Sequence, residues 1–95
     1  MSITRINHFE AAEGKQDELR QFLKGVIMVV QAVDGCLSCK LLQDSDQPRR
    51  LAIVEVWDSV AAHQAAAKAI PPEEIAKVLP LLGGPPTGNY YKDVA

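Results

Sequence analysis

The chain has 95 residues, 47% hydrophobic and 23% charged, with a formal net charge of −2. That length suits one domain, residues 1–95, because two halves would each be too small to bury a core. Acidic and basic residues are interspersed, which excludes the basic footprint of a nucleic-acid binder, and no stretch nears the roughly 20 apolar residues that span a bilayer.

The opening "MSITRINHFE" lacks a basic-then-apolar leader pattern, and two cysteines are too few for a disulfide framework; a cytoplasmic setting is expected. "SITRINHFEA" alternates, placing Thr4, Ile6 and His8 on one face and Ile3, Arg5, Asn7 and Phe9 on the other, the pattern of a strand. "AAEGKQDE" follows, with acids gathered where a first helical turn favours them. Leu19, Phe22, Leu23, Val26, Val30 and Val33 then form one helical stripe, and Gly35 supplies its left-handed stop.

"CLSCKLLQ" reads as the second strand, "DSDQP" as a turn and "RRLAIVEVW" as the third strand. Six apolar positions in those last nine suggest a strand covered on both faces. Ser59 is the candidate N-cap of a second helix over 60–69. "IPPEE" starts a short third helix whose apolar side would be Ile75, Val78, Leu79 and Leu82, with Pro80 bending or ending it. "GGPPTG" reads as loop and "NYYKDV" as a last strand.

The order βαββαβ implies a ferredoxin-like α+β fold: a four-stranded antiparallel sheet with the main helices on one face. The other face would be bare, which predicts a homodimer formed sheet against sheet.

Three stretches at their spacings, "INHFEAAEGKQDEL", "VDGCLSCKLL" and "VEVWDSVAAH", resemble the signatures of the antibiotic-biosynthesis monooxygenase domain family. The resemblance covers roughly residues 3–92. It implies a dimeric α+β barrel, with a pocket between the sheet and the helices of each subunit. The family's activities include cofactor-free oxidation of aromatic polyketides, haem degradation and isomerisation of small metabolites, so membership names a place for chemistry more than a reaction.

His63 lies among alanines, at the edge of an inward helix face made of Ala62, Ala66, Ala69 and Ile70. Those alanines either let the helix approach the sheet closely or leave a hollow. In the hollow, His63 would be a base for a phenolic substrate; otherwise it is a half-buried ring bonded to backbone or water. The second histidine that family members often carry one turn later would fall near Ala66, and its absence argues against haem degradation.

Asn7 is a poor β-former inside a strand. The resemblance implies that its amide holds a substrate oxygen or dioxygen; a bond to a neighbouring strand is the structural alternative. Trp57 and Phe9 would wall the pocket, although a core role suits Trp57 better. Glu55 would pair with Arg5 across the sheet if the first and third strands are neighbours. The C-x-x-C of "CLSC" opens a strand rather than a helix, so Cys36 and Cys39 read as inert and no metal site is expected.

The function expected is a cofactor-independent monooxygenase acting on a small aromatic or carbonyl metabolite, with Asn7 and His63 catalytic. The alternatives are an isomerase- or tautomerase-like enzyme in the same pocket and a non-catalytic ligand-binding module. Tyr90 and Tyr91 fall on opposite faces of the last strand, and the sequence does not say which one faces the pocket.

Overall fold

The computed structural model describes residues 2–95. Its elements are β1 (Ile3–Glu10), α1 (Gln16–Gln31), β2 (Cys36–Gln43), β3 (Arg50–Trp57), α2 (Val60–Lys68), α3 (Pro72–Val78) and β4 (Thr87–Tyr91), with a 3-10 turn at Leu79–Leu81. The four strands form one antiparallel sheet in the order β2-β3-β1-β4. This is the ferredoxin-like α+β architecture that the element order predicts. Among the described residues, no helix is long and apolar enough to cross a membrane.

The core follows from the stripe on α1. Leu19 and Leu23 are buried against Leu51 and Ile53 of β3, Cys39 of β2 and Ala11 just past β1. Val78, Leu81 and Leu82 close the cluster from the side. Backbone bonds from Ala12 to Leu81 and from Gly83 to Glu10 tie that segment to the end of β1.

Ser59 caps α2 by accepting from the Ala62 N–H at 3.1 Å. Gly35 adopts φ +91°, and a Cβ there would lie 2.8 Å from Cβ of Ala62. The glycine thus serves two needs: a left-handed turn and the close approach of α2. The alanines of α2 therefore provide proximity at Ala62.

Several boundaries and faces differ from expectation. β4 begins at Thr87, inside the segment read as loop, and stops at Tyr91, because Thr87 and Gly88 pair with His8 and Asn7 of β1. α2 ends at Lys68, and Ala69 and Ile70 beyond it are exposed. Ile75 and Leu79 are also exposed, whereas Val78 and Leu82 pack on the core. β3 is sealed on one face only. Leu51, Ile53, Glu55 and Trp57 are buried while Ala52, Val54 and Val56 are half-buried, since both main helices lie on the same side. Its run of apolar residues reflects an open sheet face rather than a second covering layer within the chain.

Candidate functional site

The pairing registers set out one row of side chains across the helix-covered face. Cys39 of β2, Glu55 of β3, Arg5 of β1 and Tyr90 of β4 are successive cross-strand partners. In the adjacent row lie Leu41, Ile53, Asn7 and Gly88. Tyr90 is therefore the tyrosine on the covered side, and Tyr91, opposite Thr4, lies on the open face.

Glu55 anchors this end of the sheet. It is 5% exposed, and a carboxylate so buried is tolerated only with partners. Its Oε1 accepts from the Trp57 indole N–H at 2.8 Å, and its Oε2 accepts from the Asn7 amide at 3.3 Å. Acceptance by both oxygens fits the ionised form, which carries no proton of its own. The expected pair with Arg5 does not form despite the direct register. With both oxygens taken, Arg5 instead donates from Nε to Asn7 Oδ1 at 3.0 Å and lays its guanidinium over the Tyr90 ring, 4.8 Å from the centroid.

Gly88, opposite Asn7, makes that turn of Arg5 possible. A Cβ on Gly88 would collide with Asn7 Oδ1 and with the Arg5 guanidinium.

His63 enters from the first turn of α2. Its ring stands edge-on to Trp57 and to Tyr90, at centroid distances of 5.5 and 5.3 Å. Nε2 lies 3.9 Å from Glu55 Oε1, and Nδ1 lies 2.6 Å from the Tyr90 hydroxyl. With Glu55 ionised, the tautomer that fits carries its proton on Nε2, facing the carboxylate, so Nδ1 accepts from the Tyr90 O–H. Burial pushes the His63 pKa below its usual value; Glu55 pulls it back up, and Arg5 pushes it down again. The ring is therefore neutral at neutral pH, as a base must be.

The fold brings Asn7, Trp57 and His63 together around Glu55. Trp57 is 1% exposed, so its indole forms a floor beneath the cluster rather than a surface. Phe9 lies further along β1 and packs against the Leu19 and Leu23 core. Glu55, Arg5, Tyr90 and Gly88 complete the arrangement and had no such role in the sequence reading. One signal was present: an acid inside the apolar run "AIVEVW", in phase with buried positions.

Two cavities open elsewhere. One of about 490 Å³ lies between α1 and the β2 side of the sheet, beside Ile27, Met28 and Leu41, and one of about 230 Å³ lies by Glu10 and Arg50. Neither is lined by Asn7, Trp57 or His63. At His63 the rings of His63, Trp57 and Tyr90 meet edge to face.

The cysteines are not poised as nucleophiles. Burial, then Glu55, then Cys36 push the Cys39 thiol up to about 12. Burial and Glu55 also raise Cys36, against a lowering hydrogen bond to the Ser38 backbone. Among the described residues, no three His, Cys, Asp or Glu side chains converge as metal ligands do.

Fold and polar cluster together define a ferredoxin-like α+β protein with an ionisable site under its second helix. Residues 2–73 match the antibiotic biosynthesis monooxygenase family, and the chain belongs to that family. Among solved structures it is similar to Rv0793 from Mycobacterium tuberculosis, at 23% identity and a TM-score of 0.85, covering 100% of this chain and 97% of that one. A Deinococcus radiodurans protein, itself only provisionally assigned as an antibiotic biosynthesis monooxygenase, aligns at 25% identity and a TM-score of 0.85, over 100% and 94% of the two chains. Protein SO0527 from Shewanella oneidensis aligns at 27% identity and a TM-score of 0.82, over 95% and 88%. No curated protein matches the sequence.

Proposed function

We propose that this chain is a small cytoplasmic, homodimeric enzyme of the monooxygenase type, acting on a small aromatic or carbonyl metabolite at the Glu55–His63 cluster. The observation that carries the reading is the His63 imidazole set between a buried carboxylate at 3.9 Å and a phenol hydroxyl at 2.6 Å, with burial holding its pKa down. Such a cluster can accept a proton that originates on a phenol or an enolisable carbonyl. The Asn7 amide spends one N–H on Glu55, and its second N–H is the donor offered to the substrate oxygen. Trp57, the floor of the cluster, would help exclude water there, while Phe9 packs away from the site in the Leu19–Leu23 core.

The resulting carbanion reduces dioxygen itself: a CH₂ group and O₂ give a carbonyl and water, and the chemistry needs no bound flavin or metal. The open face of the sheet supports the dimer. Ile6, Val54, Val56, Leu42 and Tyr91 lie on it, and burying such a face against a second copy is favourable at roughly 25 cal/mol per Å².

Oxygen consumption by the purified protein, with a panel of polycyclic phenols and quinols, tests the reading. Uptake should fall at least tenfold in Asn7→Ala or His63→Ala, about 1.4 kcal/mol of transition-state stabilisation. A second reading has its own support. The His63–Tyr90 contact joins two proton-transfer groups and demands no oxidation, as an isomerase would use them. Exchange of substrate protons with solvent, without oxygen uptake, would favour that reading. Binding with neither would leave a ligand-binding module.

A further inference from the structure

Neither ring nitrogen of His63 is open to a substrate. Nε2 faces Glu55, Nδ1 is closed by the Tyr90 hydroxyl at 2.6 Å, and only 15% of the side chain is exposed. Tyr90 is 36% exposed, so a molecule arriving from solvent has the phenol more open to it than the imidazole. A phenol oxygen can accept one proton while it gives up its own.

We propose that Tyr90 is a catalytic residue, the group that touches the substrate and hands its proton to His63, with Glu55 as the positioning residue behind the ring. The proposal rests on the reading that this site deprotonates its substrate. In the transfer, a substrate O–H or C–H bond breaks as a new Tyr90 O–H forms. The original Tyr90 O–H breaks as His63 gains a proton on Nδ1. The products are a substrate anion and an imidazolium whose Nε2–H faces the Glu55 carboxylate, so charge balances and no electrons change hands.

Arg5 narrows the substrate class. Among the described residues no carboxylate pairs with it. Its guanidinium lies over the Tyr90 ring and beside the space that Gly88 leaves. A positive charge over the ring of the transferring phenol favours a substrate whose conjugate base is an oxyanion, namely a phenol or an enolisable carbonyl. Tyr90 and Gly88 both lie beyond the 2–73 segment that matches the family, so the matched segment does not itself supply this half of the site.

The test has a substrate-free arm and a kinetic arm. In the first, nitrogen-15 NMR follows the titration and tautomer of His63 in the wild type, Tyr90→Phe and Glu55→Gln, with His63→Gln assigning the signal. The wild type should carry its proton on Nε2. Tyr90→Phe should raise the His63 pKa, because the lost O–H bond favoured the neutral ring, and Glu55→Gln should lower it. A His63 titration unmoved by Tyr90→Phe would overturn the relay.

In the second arm, Tyr90→Phe should lose about 100-fold or more in kcat on a phenol that the wild type turns over. Tyr90→Phe combined with His63→Gln should fall no further than the worse single variant. Additive losses would overturn the proposal. Failure of every phenol with the wild type counts against the functional reading alone, and the titration still decides whether Tyr90 and His63 share a proton.

Discussion

Ile53 and Glu55 sit two residues apart on the same face of β3 and are almost equally buried, at 2% and 5% exposure. Around Ile53 the neighbours are Leu19, Leu23, Leu51, Cys39 and Ala11, an apolar cluster sealed by the long stripe of α1. Around Glu55 they are an indole N–H, a carboxamide and an imidazole. Trp57, only 1% exposed, stands outside the apolar cluster. The helices make the difference. α1 presents Leu19 and Leu23, whereas α2 buries no residue completely and presents Ala62, His63 and Ala66. One end of the sheet is held by packing and the other by hydrogen bonds, and the ionisable groups collect where packing is thin.

That contrast is broken most directly from the packed end. Ile53→Ala should cost about 2–5 kcal/mol, through lost burial and the cavity left behind. Glu55→Gln keeps the shape but replaces one acceptor oxygen by a donor, so the Trp57 or Asn7 N–H loses its partner, at about 1–3 kcal/mol. Urea unfolding of both variants reads the two costs on one scale. Equal losses would erase the distinction between the ends, and a neutral Glu55→Gln would mean the carboxylate anchors nothing. Gly88→Ala comes next. Its methyl would collide with Asn7 Oδ1 and the Arg5 guanidinium, but Arg5 is long and half-buried and can swing aside, so about 1 kcal/mol is expected. The sharper readout there is loss of the Arg5–Asn7 bond, which a crystal structure of the variant would show directly.

The sequence carried the packed end well and the polar end poorly. The α1 stripe, the β2 boundaries and the Ser59 cap are local patterns, and each is present in the fold. Gly35 is left-handed as expected, but α1 ends earlier, at Gln31 with Ala32 as its C-cap, and the glycine serves the turn into β2 instead. The sheet order follows from connectivity. The Glu55 cluster depends instead on register between strands distant in the chain. Glu55 meets Asn7 across 48 positions, and His63 meets Tyr90 across 27. The register that places Arg5 opposite Glu55 is correct, yet Trp57 and Asn7 occupy the carboxylate, and nothing in the sequence marks that occupancy. Gly88 looked like loop because glycine and proline surround it, and its value lies in a side chain it lacks. Tyr90 could not be told from Tyr91 until the pairing of β4 with β1 was known, because a shift of one residue exchanges their faces.

The smallest effect expected is also the one specific to the polar end. Burial holds the folded-state pKa of His63 below its usual value, while the unfolded chain takes up that proton near about pH 6.5. As pH falls below that value the unfolded state binds more protons than the folded one, so stability declines until the folded ring is also protonated. Above neutrality the ring is neutral in both states and contributes no pH dependence. Asp44 acts in a separate, more acidic window. Backbone N–H bonds from Asp46 and Gln47 hold its pKa down, so the stability it confers is present above about pH 4 and fades as pH falls through its lowered value. Urea unfolding of the wild type and His63→Gln between pH 7 and pH 5 isolates the histidine, because Asp44 stays ionised throughout that range. The wild type should lose stability relative to the variant as the solution is acidified. Parallel curves would show that protonating His63 costs the fold nothing, and the Glu55 end would then be as indifferent to charge as the end built on Ile53.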